Sequence, residues 1–299
     1  MPTDADVTTT ALERSGAWPA RVTWVALAVV SGPTLTDALD RHSTSVRVVV
    51  LALAALAWTA ALVSLLVART VSLTAARLLV PTGPVGAVAA VLAGSTVDLG
   101  DVVTVTLAVV AAVATAAPWV TDAWVDGSSY GTERRVALRT PAVFAFVMAP
   151  LTWTAAVAGA VAGPLLLAAH AWGAGALALV VGWPLAYAAA RALHQLARRW
   201  VVLVPSGMVL HDPLVLPAPP LFPRTDIARL GPAPETTDAA DLTAGAAGLA
   251  VQLDLVDPGE LLVRTRARRT KTFEATSVLF TPLRPAHLLA VAADHRIPL

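Results

Sequence analysis

The chain contains no cysteine among its 299 residues, and Lys271 is its only lysine. The absence of cysteine excludes disulfides, thiolate nucleophiles and cysteine-ligated metals. Charged residues make up 14% of the chain, whereas ordinary soluble domains contain about 25%. The deficit is uneven, because the charges concentrate in the N-terminal segment, a few connections and the last third. This distribution predicts a membrane-embedded part joined to a water-exposed domain.

Motifs for catalysis, metal binding and nucleotide binding are also absent. The six histidines are scattered without His-Glu-x-x-His spacing, and no glycine-rich phosphate loop occurs. Ser206 lies in a Pro-Ser-Gly turn, outside the setting of a nucleophile elbow. A net charge of +1 gives no bulk attraction to nucleic acid. The sequence therefore predicts a non-enzymatic protein with no cofactor, no metal and no nucleic-acid partner.

Long apolar runs fill the region between residues 18 and 199, where each membrane span needs about 20 apolar residues. Gly32 and Pro33 interrupt the first run and predict a kink. Pro81 and Pro84 leave the third run open to being a full, kinked or re-entrant segment. The centres of the runs contain no ionisable side chain, which disfavours a proton-coupled transporter. The runs predict an α-helical transmembrane bundle of about six spans, at 18–39, 48–68, 78–97, 102–120, 141–168 and 171–190.

Arginines flank these runs on alternate sides of the predicted membrane, and cytoplasmic loops carry an excess of basic residues. Arginine-rich segments precede span one and follow spans two, four and six. The third connection offers only Asp98 and Asp101, and the fifth only His170. The first connection is inconsistent, because aspartates balance its arginines. The pattern predicts a multi-pass plasma-membrane protein with both termini in the cytoplasm.

The ends of the chain differ from the bundle at 18–199. Residues 1–17 are polar and lack the basic start of a secretory signal, so we expect a disordered N-terminal tail. Residues 200–299 change to alternating and turn-punctuated patterns, beginning with WVVLVPSGMVLHDPLVL, which predicts two strands joined by a hairpin turn. GLAVQLDLV and FEATSVLFTP predict further strands, with a turn at Asp257-Pro258-Gly259.

The last residues, RPAHLLAVAADHRI, space their apolar side chains as an amphipathic helix does. About five to seven strands followed by one helix predict a small α+β domain at 200–299. The expected architecture is a β-barrel or sandwich with a C-terminal helix, on the cytoplasmic side of the membrane.

A basic run lies between two predicted strands of this domain. Near an anionic leaflet each basic residue adds about 1 kcal/mol of attraction, so the run could contact anionic lipid headgroups. A solvated hairpin is the first alternative. A nucleic-acid contact is the other, disfavoured because no aromatic side chain interleaves the run. The residues of the run are Arg264, Arg266, Arg268, Arg269 and Lys271.

The connection between spans four and five, DGSSYGTERRVALRTP at 126–141, is the second candidate contact. It holds turn signals and the basic pair Arg134 and Arg135. One interpretation is an elbow that docks on the C-terminal domain or holds an anionic lipid headgroup. The other is a turn with the ordinary basic residues of a cytoplasmic loop.

A strand-rich domain with one C-terminal helix, tethered directly to a span, resembles the pleckstrin-homology-like domains of bacterial membrane proteins. Arginine-flanked spans combined with DGSSYGTERR, RRWVVLVPSGMVLHDPLVL and TPLRPAHLLAVAADHRIP make the chain similar to an uncharacterised family of actinobacterial integral membrane proteins. This resemblance implies a fold and no site residues. The proline-rich stretch 213–234 departs from a tight barrel.

These observations favour a scaffold, regulator or assembly factor. Its bundle would anchor the chain and could form homo-oligomers, and its cytoplasmic domain would bind a protein partner or the inner leaflet. The alternative is a passive channel or facilitator through the bundle. An enzyme acting on lipids comes third, because ionisable residues are missing at membrane depth.

Overall fold

The computed structural model describes residues 16–264 and 270–299. Within them the chain forms two compact units. The first holds the described residues up to Trp124 together with Leu151–Leu193, and the second holds Val125–Pro150 and His194–Leu299. The second unit is therefore built from two segments that are separated in sequence.

The first unit is helical, and three helices, α7, α8 and α9, are divided between it and the second unit. The helices are α1 (Trp18–Val30), α2 (Gly32–Leu39), α3 (Thr44–Leu66), α4 (Thr70–Leu79), α5 (Thr82–Ala93), α6 (Leu99–Thr115), α7 (Pro118–Asp126), α8 (Ala149–Ala168, preceded by a π-helical turn at Phe144–Met148) and α9 (Trp172–Ala197). Among the described residues, four helical stretches are long and apolar enough to cross a membrane. The bent pairs α1–α2 and α6–α7 raise the number to six.

Both bent pairs contain a proline in the first turn of their second helix. The predicted kink near Pro33 is confirmed, because α1 and α2 meet at 47°. A second bend, of 55°, separates α6 from α7, and Pro118 begins α7. Proline lacks the N–H that would continue the preceding helix, and its ring clashes with the turn before it. The sequence analysis did not predict the second bend.

Span three begins earlier than the sequence predicted. The structure joins α4 and α5 into one candidate of 24 residues, Thr70–Ala93. Arg77 therefore lies within this stretch and not at its edge. Its Nη2 donates to Thr121 Oγ1 at 2.7 Å, so a neighbouring helix supplies an acceptor for the guanidinium.

The four long candidates expose most of their apolar side chains. Only 17, 17, 11 and 6% of the residues in their most apolar windows are buried within the chain, in chain order. Apolar surface of this extent is costly in water and is stable in lipid. The coarse prediction, several helices long and apolar enough to span a membrane followed by a β-rich region, is confirmed.

Two tryptophans join α1 to α3 by reciprocal hydrogen bonds. Trp24 Nε1 donates to the carbonyl oxygen of Trp58 at 3.1 Å, and Trp58 Nε1 donates to that of Trp24 at 3.0 Å. On α8, Trp153 Nε1 donates to the carbonyl oxygen of Leu78 at 2.8 Å. Because lipid tails are as apolar as leucine, such bonds and close packing hold transmembrane helices together.

Glycines bring α8 and α9 into backbone contact. A Cβ on Gly159 would lie 2.5 Å from the carbonyl oxygen of Gly182, and a Cβ on Gly182 would lie 2.6 Å from that of Gly159. A Cβ on Gly163 would likewise meet Leu179 at 2.6 Å. Gly159, Gly163 and Gly182 therefore form a packing seam between the two helices.

Substituting Gly159 by alanine should force the two helices apart, because the added Cβ would lie 2.5 Å from the carbonyl oxygen of Gly182. Overpacking of this kind costs about 1–3 kcal/mol, so we expect a lower midpoint of thermal unfolding for the detergent-solubilised chain. Gly86→Ala is the matched control, because nothing lies within 4 Å of a Cβ there. An equal midpoint for the Gly159 and Gly86 variants would contradict this packing.

In its described residues, the second unit forms two four-stranded sheets and a C-terminal α-helix. Its elements are β1 (Arg134–Ala137), β2 (Trp200–Val204), β3 (Gly207–His211), β4 (Leu221–Pro223), β5 (Ile227–Pro232), β6 (Ala240–Asp241), β7 (Val251–Arg264), β8 (Thr270–Phe280) and α10 (Pro285–Asp294). The first sheet has the order β1-β2-β3-β4 and the second β5-β7-β8-β6. Every pairing is antiparallel except the parallel pair β6–β8.

Both sheets and α10 contribute to one hydrophobic core, and the described residues form no closed barrel. Its fully or nearly fully buried members include Val136, Val201, Leu203, Met208, Leu210, Phe222, Leu230, Leu253, Leu261, Val278, Phe280, Leu288 and Ala292. The predicted hairpin at β2–β3 and the predicted C-terminal helix are confirmed.

The predicted turn at Asp257–Gly259 is wrong. Strand β7 runs without a break from Val251 to Arg264, and its register against β8 shifts between Asp254 and Gly259. Proline cannot donate to a β-ladder and is tolerated where a bulge interrupts the pairing. The Asp-Pro-Gly signal therefore marks a bulge.

Strand β1 comes from the connection between α7 and α8, and the sequence did not predict it. Val136 pairs with Val201 and Ala137 with Trp200. Past the strand, Leu138 forms a bridge with Pro282. Of the two interpretations of this connection, the one that docks it on the C-terminal region is confirmed by these pairings.

Candidate functional site

A buried ion pair links two strands of the second unit. Arg199 directly precedes β2, and Asp212 directly follows β3. The guanidinium donates through Nε at 2.9 Å and through Nη2 at 2.6 Å to the two carboxylate oxygens. The two side chains are only 2% and 1% exposed. Arg199 Nη1 also donates to the carbonyl oxygen of Arg139, so the pair fastens the segment after β1 to β2 and β3.

Three side chains stack on one face of the first sheet. The rings of Trp200 and His211 are nearly parallel, with centroids 4.5 Å apart, and the Arg135 guanidinium lies 5.5 Å from the Trp200 ring. His211 Nδ1 donates to the carbonyl oxygen of Arg198 at 2.9 Å. Burial lowers the pKa of His211, so the ring is neutral at pH 7. Arg135 also pairs with Glu133 at 2.6 Å, so this predicted contact residue is engaged within the domain.

Arg134, which the sequence predicted as a contact residue together with Arg135, lies in a cleft of about 440 Å³ in the second unit. Arg224 and Arg296 line the same cleft, and Asp294 is the one carboxylate in its wall. We call it the three-arginine cleft. Arg135–Glu133 and Arg199–Asp212 are two ion pairs of the described residues. None of the three cleft arginines is part of either.

Arg296 occupies a backbone position that favours glycine. The Ile297 N–H bonds to the carbonyl oxygen of Ala292, and the Arg296 N–H bonds to that of Ala293. This is the Schellman arrangement, which ends a helix with one left-handed residue that is usually glycine. Arg296 is that residue, with φ 58°. A side chain there costs about 1 kcal/mol relative to glycine.

His295 fixes the position of the cleft walls. Its Nε2 lies 2.8 Å from the carbonyl oxygen of Thr132, and its Nδ1 lies 2.8 Å from that of Val291. The imidazole therefore links the end of α10 to the segment that leads into β1. These are the two segments that carry Arg296 and Arg134.

Two residues of the predicted basic run, Arg264 and Lys271, lie where β7 ends and β8 begins. Arg264 ends β7 opposite Thr270, and Lys271 lies in β8 opposite Val263. Both side chains are exposed. Arg266, Arg268 and Arg269 lie outside the described residues.

An apolar groove of about 810 Å³ lies within the first unit. Besides Trp24 and Trp58, the lining residues with polar side chains are Ser31, Thr34, Thr82 and Thr104. Thr34 Oγ1 donates to Asp101 Oδ1 at 2.7 Å and lies 3.5 Å from Thr104 Oγ1. Asp101 in turn forms a capping box with Asp98 at the start of α6. This polar corner is therefore satisfied within the fold.

Comparisons with known proteins identify no relative: no family model, curated protein or solved structure matches the chain. Among the described residues, no group of three or more His, Asp or Glu side chains could hold a metal ion. The resemblance to a pleckstrin-homology-like membrane family stays a prediction. The geometry of the second unit is what bears on function.

Several residues of these arrangements escaped the sequence analysis. They are Arg199, Asp212, Arg224, His295 and Arg296. Their partners are distant in sequence, so spacing gives no signal for the ion pair or the cleft. Arg296 is the exception that the sequence could have indicated. The run His-Arg-Ile-Pro directly follows the last helical residues, where a glycine is the usual stop signal.

Proposed function

We propose that the chain is a non-enzymatic, multi-pass protein of the plasma membrane that carries a cytoplasmic binding domain in a scaffold, regulatory or assembly role. The observation that carries the proposal is the pairing of β1 with β2. Two candidate spans lie between these strands, at Phe144–Ala168 and Trp172–Ala197. Strands of one sheet must lie on one side of the membrane, so the two spans cross it and return. The arginine excess around both strands supports placing that side in the cytoplasm.

The domain is proposed to be related to pleckstrin-homology-like domains. Two sheets over one core with a single C-terminal helix support this relation. The contribution of β1 from a distant segment is a departure from a domain contained in 200–299. Such a domain suits the binding of a protein partner or of anionic lipid headgroups, and the exposed bundle leaves room for homo-oligomers.

A passive channel or facilitator is the alternative function. A path for water or ions needs polar groups along its length. The groove in the first unit is lined almost entirely by apolar side chains, and its Thr34 hydroxyl is bonded to Asp101. The groove therefore supports the binding proposal over transport.

Lipid binding by the β7–β8 hairpin is tested on the full chain in nanodiscs, by hydrogen exchange at 260–264 and 270–273. The basic run should slow exchange there when the nanodisc contains phosphatidylglycerol, relative to pure phosphatidylcholine. Because each charge contributes up to about 1 kcal/mol, we expect at least about tenfold slower exchange. High salt should remove the effect by screening.

A variant with glutamine at the five basic positions of the run should show no difference between the two lipids. Arg229→Gln, at an exposed arginine on β5, is the matched control and should behave as the unaltered chain does. Equal exchange of the unaltered chain in both lipids would refute lipid contact by the hairpin and leave a protein partner as the ligand.

A further inference from the structure

We propose that the three-arginine cleft is a binding site for a phosphate group, carried by a lipid headgroup or by a small soluble molecule. The inference rests on the proposed function and names a ligand class for a site distinct from the basic hairpin. The cleft is formed by the segment before β1, the β2–β3 turn, the residues after β4 and the end of α10.

The charges of the cleft favour a divalent anion. Three arginines and one aspartate, Asp294, line the cleft, and the ion pairs Arg135–Glu133 and Arg199–Asp212 include none of these arginines. Arg134 Nη1 donates to the carbonyl oxygen of Glu133 at 2.9 Å, which is a neutral acceptor. Guanidinium groups bind phosphate through two parallel N–H···O bonds each, which gives geometry as well as charge. A volume of about 440 Å³ is within the range of small-ligand sites.

The conformation of Arg296 gives an independent indication. Its left-handed φ of 58° is one that glycine adopts without strain, and the cap at the end of α10 needs no side chain there. Strained non-glycine residues of this kind cluster at ligand sites. A guanidinium in the cleft accounts for the arginine, since the helix cap alone favours glycine.

This conformation provides a variant that separates binding from folding. Arg296→Gly removes the guanidinium and relaxes the backbone, so its midpoint of thermal unfolding should equal or exceed that of the unaltered chain. Loss of one charge-assisted contact should weaken phosphate binding about tenfold. Arg224→Gln should weaken it by a similar factor, and Arg229→Gln, on β5, should leave it unchanged.

The full chain in phosphatidylcholine nanodiscs is titrated with inorganic pyrophosphate by calorimetry. In a second arm, nanodiscs that also contain phosphatidic acid are analysed by native mass spectrometry for retained lipid. Pyrophosphate binding that falls in Arg296→Gly and Arg224→Gln identifies a soluble phosphate ligand. Retention of phosphatidic acid alone, lost in the same variants, identifies a headgroup.

The proposal is overturned if neither probe binds, or if both variants bind as the unaltered chain does. Either result leaves the hairpin experiment unaffected, because that experiment reads exchange at 260–264 and 270–273. Slowed exchange at the hairpin without binding of either phosphate probe would keep the proposed function and refute this site. Phosphate binding in the cleft without protection of the hairpin would keep this site and refute lipid contact by the hairpin.

Discussion

Replacing Asp212 by alanine should destabilise the second unit by about 3–5 kcal/mol, because the substitution leaves the buried Arg199 guanidinium without its charge partner. Arg199 is 2% exposed, so water cannot replace the carboxylate without local opening. Asp212 Oδ1 also accepts the N–H of Leu214 at 3.1 Å, and this bond is lost as well. A urea titration of the detergent-solubilised chain, followed by hydrogen exchange in β2, measures the effect.

Two control variants assign this loss to the ion pair. Asp238→Ala removes an exposed carboxylate and should change the free energy of unfolding by less than about 0.5 kcal/mol. The double variant Arg199→Met with Asp212→Leu replaces both charges by apolar groups and should recover most of the loss. If Asp212→Ala unfolded at the same urea concentration as Asp238→Ala, the pair would not hold the segments together.

The sequence identified the membrane part because its signal is local. About twenty apolar residues in a row match the thickness of a bilayer and exceed the length that most buried helices of soluble domains need. The kink at Pro33 was predicted from an equally local signal, whereas the bend at Pro118 was missed. Helix limits were less accurate at Arg77 and Asp101, which the sequence placed at an edge or outside a span. Their hydrogen bonds to Thr121 and Thr34 come from other helices, and spacing along the chain does not reveal them.

In the second unit, the sequence predicted the elements with a local signal and missed the pairing between distant segments. Hairpin β2–β3 and helix α10 were predicted because turn residues and apolar spacing lie within one short window. Strand β1 is four residues long and half of it is arginine, so its pattern is that of a basic loop. Its partner β2 begins more than sixty residues later. Pairing over that separation depends on the fold and has no local signature.

The sequence predicted only part of the three-arginine cleft. Arg134 was a candidate contact from its basic neighbourhood, whereas Arg224 lies in the proline-rich stretch that gave no strand pattern. Arg135 had the same sequence signal as Arg134 but stacks on Trp200 and pairs with Glu133. Adjacent residues of a strand point to opposite faces, which separates their roles.

The side of the membrane on which each connection lies is the most direct test of the account. The chain lacks cysteine, so single cysteines can be introduced without first removing native ones. Ser128→Cys and Asp238→Cys mark the predicted inside, and Thr96→Cys and Gly173→Cys mark the predicted outside. All four positions are exposed, and nothing lies within 4 Å of a Cβ at Gly173.

The measurement is labelling of intact cells with a membrane-impermeant maleimide, before and after permeabilisation. We predict that Thr96→Cys and Gly173→Cys label in intact cells, whereas Ser128→Cys and Asp238→Cys label only after permeabilisation. The unaltered chain should not label at all. Labelling of Ser128→Cys and Asp238→Cys from opposite sides would contradict the sheet that joins β1 to β2, and labelling of both from outside would contradict a cytoplasmic domain.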